Sequence, residues 1–223
     1  MIARELIGTA QVPGGEELQL FRHDRDFLIV LGRNVLMSSR MSGSEVALAE
    51  QSCVRIAGAA RPHLLIGGYG MGFTLRAALA MLGGDARVTV AELVPEIIEW
   101  ARGPMQELAA GCLDDPRVEL VMADVADVIA DGRSRYDAIL LDVDNGPHGL
   151  VRADNDRLYS RQGLQAAKAA LRPGGVLAVW SAAKDDGFAA RLRRAGFAVD
   201  EVRVRARSNG KGPMHTIWFA GVR

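Results

Sequence analysis

Cysteine is nearly absent from this chain of 223 residues: Cys53 and Cys112 stand far apart, with no C-x-x-C pairing. That excludes a disulfide framework and argues against a metal site, leaving two small apolar core residues suited to a reducing compartment. An excess of charge is missing too. Lys+Arg and Asp+Glu number 27 each, so no overall field draws the chain toward nucleic acid or an anionic membrane. Nowhere do eighteen or so apolar residues run together, and Arg4 and Glu5 interrupt what would have to be the apolar core of a signal segment. The expectation is a soluble, cytoplasmic protein acting on a small molecule, with no nucleic-acid, membrane or metal partner. Internal repeats and low-complexity tracts are also lacking, and the length suits one α/β domain with an N-terminal addition.

What is present is concentrated in His63 to Thr74, HLLIGGYGMGFT. Leu64, Leu65 and Ile66 suit a strand buried on both faces, and Gly68, Gly70 and Gly72 remove the side chains that would keep a ligand off the backbone. The helix that follows points its free N–H groups at the same space. About twenty residues on, the apolar run Arg87 to Ala91 closes on Glu92, where a carboxylate can accept from both hydroxyls of a ribose. A dinucleotide loop wants G-x-G-x-x-G, whereas this chain reads G-x-G-x-G from Gly68, with Phe73 where the third glycine would stand. The shorter form resembles motif I of class I S-adenosylmethionine-dependent transferases, whose cofactor carries no phosphate. A tight strand-to-helix turn also needs glycine for steric reasons alone.

The rest of the chain supports an α/β fold. Residues 1–43 read as β-hairpins, a small N-terminal sheet, and residues 44–223 as the cofactor-binding domain, opened by a helix that Ser44 can cap. From His63 strand and helix signals alternate, including one helix over Pro95 to Ala110, which implies a mostly parallel sheet with helices on both faces. Phe197 to Arg205 and Met214 to Val222 are joined only by a short Ser208 to Pro213 loop and must pair antiparallel. A parallel, Rossmann-like sheet ending in such a hairpin resembles the class I methyltransferase fold.

In such a sheet the ligand lies beyond the carboxyl ends of the strands, so the residues there are the candidates. They are the glycine loop with Tyr69, Glu92 with Leu93, Asp124, Asp142 with Asp144 and Asn145, and Ser181. Asp124 is placed to accept from the exocyclic amine of an adenine while the N–H of Val125 donates to a ring nitrogen. Asp124 can equally cap the short helix starting at Val125, and the two roles are compatible. Asp142 follows the strand AILL and either orients a positive centre, such as a sulfonium or an amine, or takes a proton from the nucleophile. Asp144 and His148 are candidate assistants, although Asp144 can serve only a turn and His148 can be a solvated loop residue. His215 reads as structural, within the last strand, and Arg203, Arg205, Arg207 and Lys211 as a solvated basic face.

Taken together, IGGYGMGFTLRAAL, VTVAELVPEIIEWA, VMADVADVI, YDAILLDVDNGPHG and LYSRQGLQAAKAALRPGGVLAVWSA resemble the spermidine synthase family of aminopropyltransferases. The resemblance implies a small N-terminal β-sheet before a methyltransferase-like domain, a homodimer, and aminopropyl transfer from decarboxylated S-adenosylmethionine to a polyamine. It also implies that Glu92 holds the ribose, Asp124 the adenine and Asp142 the attacking amine. The family's glycine loop reads GGGDGG, with an aspartate for the aminopropyl ammonium, and Gly70 stands at that position here. Its DSSDP motif reads DVDNGP, and its glutamine and tyrosine–histidine pair align with Leu36 or Met37 and with Leu48-Ala49. With that anchor gone, the first expectation is a methyltransferase using S-adenosylmethionine on a small amine-bearing acceptor. Aminopropyl transfer and a non-catalytic cofactor-binding module are the alternatives.

Overall fold

The computed structural model describes residues 4–143 and 156–222, so Asp144, Asn145 and His148 lie outside the described residues. Four strands, β1 (Glu5–Gln11), β2 (Glu17–His23), β3 (Asp26–Leu31) and β4 (Asn34–Ser38), form an antiparallel meander. Alternation along β2 buries Leu18 and Leu20 on one face, as a one-sided sheet requires. Leu18, Leu20, Ile29 and Leu31 join one apolar cluster with Leu48, Ile66, Met71 and Ile97, so the meander closes over the second sheet.

That second sheet has seven strands in the order β10-β11-β9-β8-β5-β6-β7. Strands β5 (His63–Gly67), β6 (Arg87–Glu92), β7 (Val118–Met122), β8 (Tyr136–Leu141) and β9 (Leu171–Ser181) run parallel. Every residue of β5 and β8 is buried, which explains their apolar runs Leu64–Ile66 and Ala138–Leu141, while edge strand β7 is partly exposed throughout. Strand β11 (Met214–Gly221) inserts antiparallel between β9 and β10 (Ala198–Arg205), the hairpin that the short loop demanded.

Helices α1 (Gly43–Arg55), α2 (Phe73–Met81) and α3 (Pro95–Arg102) precede α4 (Gln106–Ala109) and α5 (Val125–Ala130). Three more follow: α6 (Asp156–Tyr159), α7 (Arg161–Ala170) and α8 (Asp186–Arg194). The single helix expected over Pro95 to Ala110 is broken, because Pro104 has no N–H to continue the ladder after Gly103. The N-cap of α1 is Ser42 and not Ser44, and it makes no side-chain cap bond. Ser44 lies instead in the first turn, fully buried. Gly43 seats that turn: its N–H donates to the Ala206 carbonyl at 2.8 Å, and a Cβ there would lie 2.6 Å from the Arg207 carbonyl carbon. Only glycine lets α1 begin so close to the β10–β11 hairpin.

Candidate active site at the carboxyl edge of the sheet

Strand order reverses direction at β5, whose neighbours are β6 on one side and β8 on the other. A crevice opens at such a switch point, beyond the carboxyl ends. The chain leaves β5 through Gly68, whose N–H donates to the Ala91 carbonyl at 2.9 Å, and Asp142 N–H donates to Gly67 at 3.0 Å. Gly68 and Gly70 have φ of +83° and +55°; added Cβ atoms would lie 2.6 Å from the Asp142 carbonyl oxygen and 2.7 Å from Met37 Cε. The loop therefore presents bare main chain to a cavity of about 370 Å³. Val12, Leu18, Ile29 and Met37 of the meander supply an apolar wall opposite.

Two of the predicted acids are already engaged by the backbone. Glu92, 7% exposed, accepts from the N–H groups of Tyr69, Leu93 and Val94 at 2.9, 2.8 and 2.9 Å. Burial pushes its carboxyl above the usual range even against those donors. Asp124 caps α5 by accepting from Ala126 N–H at 2.8 Å, and its other oxygen pairs with Arg157 at 2.8 Å. The capping role is thus present, with Asp124 lining the cavity at the same time.

A second pair of acids faces the cavity, each holding a side-chain hydroxyl. Asp142 keeps part of its surface open and accepts from Thr74 Oγ1 at 2.6 Å. Glu45, on the first turn of α1, is 5% exposed and accepts from Ser44 Oγ at 2.6 Å. Burial pushes Asp142 up to about 6, and burial followed by the charge of Asp142 pushes Glu45 up to about 8. Two carboxyls this close lose their protons as a pair rather than independently. Beside them His215 of β11 places Nδ1 2.8 Å from Ser44 Oγ and stands edge-on to Trp180 at 4.8 Å. Burial lowers the imidazole's affinity for a second proton, so His215 is neutral at physiological pH. Trp180 Nε1 has no hydrogen-bond partner among the described residues.

Of the predicted residues, Gly68, Gly70, Glu92, Leu93, Asp124, Val125 and Asp142 line this one cavity. Tyr69 and Gly72 do not. The Tyr69 side chain is buried with its hydroxyl 3.5 Å from Cys112 Sγ, and a Cβ on Gly72 would strike that hydroxyl at 2.6 Å. Gly72 therefore makes room for tyrosine, and Tyr69 contributes only its N–H to Glu92. Sequence reasoning missed Glu45, Ser44 and the pocket-facing position of His215. A trace was there: Glu45, Leu48, Ala49, Ser52 and Cys53 form one buried helical stripe, and Glu45 is its one charged member. Among the described residues lining the cavity are four carboxyl side chains and no lysine or arginine.

A glycine-floored crevice at the switch point of a parallel sheet that ends in an antiparallel hairpin defines a class I methyltransferase-like fold. Residues 55–184 match the model of the spermine/spermidine synthase domain, and the chain belongs to that family. It is 37% identical over 123 residues to polyamine aminopropyltransferase 2 of Pseudomonas aeruginosa, covering 53% of this chain and 33% of that protein. It is 32% identical over 165 residues to polyamine aminopropyltransferase 1 of Streptomyces coelicolor, covering 67% of this chain and 29% of that one. The chain thus spans about a third of the length of the curated relatives it matches. Its fold resembles a spermidine synthase solved with the transition-state analogue AdoDATO, at TM-score 0.73 and 22% identity over 97% of this chain and 72% of that one. The spermidine synthase of Thermotoga maritima is similar, at TM-score 0.72 and 21% identity over 97% and 72% of the two chains.

Proposed function

We propose that this protein transfers an aminopropyl group from decarboxylated S-adenosylmethionine to a small amine. The observation that carries this reading is the acid pair Glu45 and Asp142 in a cavity whose described lining holds no lysine or arginine. Loss of the loop aspartate at Gly70 pointed toward methyl transfer, on the ground that the pocket had lost its acid. Glu45 removes that ground. A donor bearing an ammonium and no carboxylate suits this lining, whereas the carboxylate of S-adenosylmethionine itself meets like charge. The names of the curated relatives, polyamine aminopropyltransferases, support the same choice.

The residues present fit such a donor: bare main chain at Gly68 and Gly70, a carboxyl at Glu92 for ribose, and Asp124 with Val125 N–H for adenine. The donor supplies an electrophilic carbon beside its sulfonium. Asp142, at the end of the strand beside the glycine loop, retains the positive centre. Glu45 and Asp142 together localise the amine, and the apolar wall of Val12, Leu18 and Ile29 packs methylenes and excludes water. The main contribution of the protein is then to hold nucleophile and carbon in near-attack geometry.

The test is to supply each donor in turn with a panel of amines and weigh the products. The reading expects a mass gain of one aminopropyl group from the decarboxylated donor. A gain of one methyl group from S-adenosylmethionine, with no aminopropyl product, would overturn it.

A further inference from the structure

Three side chains from two distant parts of the chain make a continuous hydrogen-bonded string ending at the cavity. Glu45 Oε2 accepts from Ser44 Oγ at 2.6 Å, and Ser44 Oγ meets His215 Nδ1 at 2.8 Å. All three are buried, at 5%, 0% and 9% exposure, and Glu45 and His215 also line the cavity. The close seating of Gly43 on the β10–β11 connection fixes the register that brings them together. A buried serine hydroxyl has one hydrogen. If it is donated to a Glu45 carboxylate, Nδ1 of His215 must carry a hydrogen and donate in turn to Ser44 Oγ. The string is then polarised toward Glu45, and it leaves Oε1 with no side-chain donor among the described residues.

We propose that Glu45 is the catalytic residue that takes the proton from the attacking amine, with Ser44 and His215 as positioning residues that hold its carboxylate charged and aimed. This rests on the aminopropyl reading above. An amine arrives as R–NH3+ and gives one proton to Glu45 Oε1, becoming R–NH2. Its freed electron pair forms the new N–C bond while the C–S bond breaks, that pair remaining on sulfur as a neutral thioether. The positive charge passes to the product amine, so atoms and charge balance.

Glu45 suits this role better than Asp142. A two-member string from α1 and β11 backs its carboxyl, whereas among the described residues Asp142 accepts from Thr74 alone. The groups that meet Glu45 are few. Its own main-chain N–H is one; just past β8 comes Asp142, from β11 His215 through Ser44, from α2 the neutral Thr74 on Asp142, and from β9 the neutral Trp180 on His215. The β10–β11 connection meets Gly43 with main chain of Arg207.

Two readouts decide the matter. In protein labelled with 15N-histidine and free of ligand, the His215 ring nitrogens should change shift in a step near pH 8, as Glu45 titrates. The step should vanish in Glu45→Gln and in Ser44→Ala, and return in Ser44→Thr. A His215 signal with no step between pH 7 and 9, or one unchanged in Glu45→Gln, overturns the string. In turnover, Ser44→Ala should move the acid limb of kcat/KM upward by about one pH unit, because the hydroxyl that favours the charged carboxyl is gone. An unmoved limb, or Glu45→Gln within twofold of wild-type kcat, overturns Glu45 as proton acceptor. Wild-type protein giving no aminopropyl product with any amine would instead overturn the reaction assignment and Glu45's part in it, while the 15N step still decides whether the string exists.

Discussion

At the amino edge of the large sheet, the Asp137 carboxylate receives the guanidinium of Arg172 and the main-chain N–H of His63, each at 2.7 Å. At the carboxyl edge, Glu45 and Asp142 receive hydroxyls from Ser44 and Thr74, each at 2.6 Å, and no cationic side chain among the described residues. Both arrangements bury acids against the same sheet. One is neutralised within the fold and serves stability; the other is left uncompensated, and a positive ligand completes it. An uncompensated acid pair lowers the stability of the free protein and favours cation binding by the same electrostatic energy.

The largest expected effect is on turnover. Glu45→Gln and Asp142→Asn should each lower kcat by about 10²-fold or more, the usual scale for removing a proton acceptor or a charge-stabilising group. Steady-state kinetics with product weighed by mass spectrometry measures this. Next comes the amino edge. Arg172→Met leaves the Asp137 carboxylate buried without its cation and should cost about 2 kcal/mol in urea unfolding, less than a fully buried pair because Arg172 is 39% exposed.

The third effect has the opposite sign. Glu45 has its proton affinity raised by folding, so its cost to stability is absent below the ordinary carboxyl range, grows as pH rises, and is complete above about 8. Glu45→Gln should therefore stabilise the free protein at pH 8.5 by on the order of 2 kcal/mol, with no gain at pH 4. Thermal unfolding across that pH range is the check, and a variant destabilised at every pH would show that the Glu45 carboxylate is not held at a cost. The smallest effect concerns the loop: Gly70→Ala places a side chain at φ +55° against Met37 and should weaken donor binding by about 1 kcal/mol, read by calorimetry.

The portion of this design legible from the sequence is the portion carried by local chemistry. Gly68, Gly70, Glu92, Asp124 and Asp142 each lie at or within three residues of a strand end, and a strand end is visible as an apolar run that stops. The hairpin of β10 and β11 was legible for a similar reason, since Ser208 to Pro213 is too short for a crossover. What escaped is set by contacts across the fold. His215 meets Ser44 across 171 positions of sequence, a pairing that no periodicity encodes. The break after Arg102 was written in Gly103-Pro104 but was masked by the apolar periodicity on either side. Met37, read only as a replacement for a glutamine, covers Gly70 because the meander folds back over the loop.

Uncompensated acids at the carboxyl edge should select a positively charged donor. The most direct measurement is titration calorimetry of decarboxylated and ordinary S-adenosylmethionine at pH 8.5, in wild type and in Glu45→Gln. The wild type should bind the decarboxylated donor at least tenfold more tightly, and the variant should lose most of this preference. Equal affinities in the wild type, or tighter binding of the carboxylate-bearing donor, would contradict that selection.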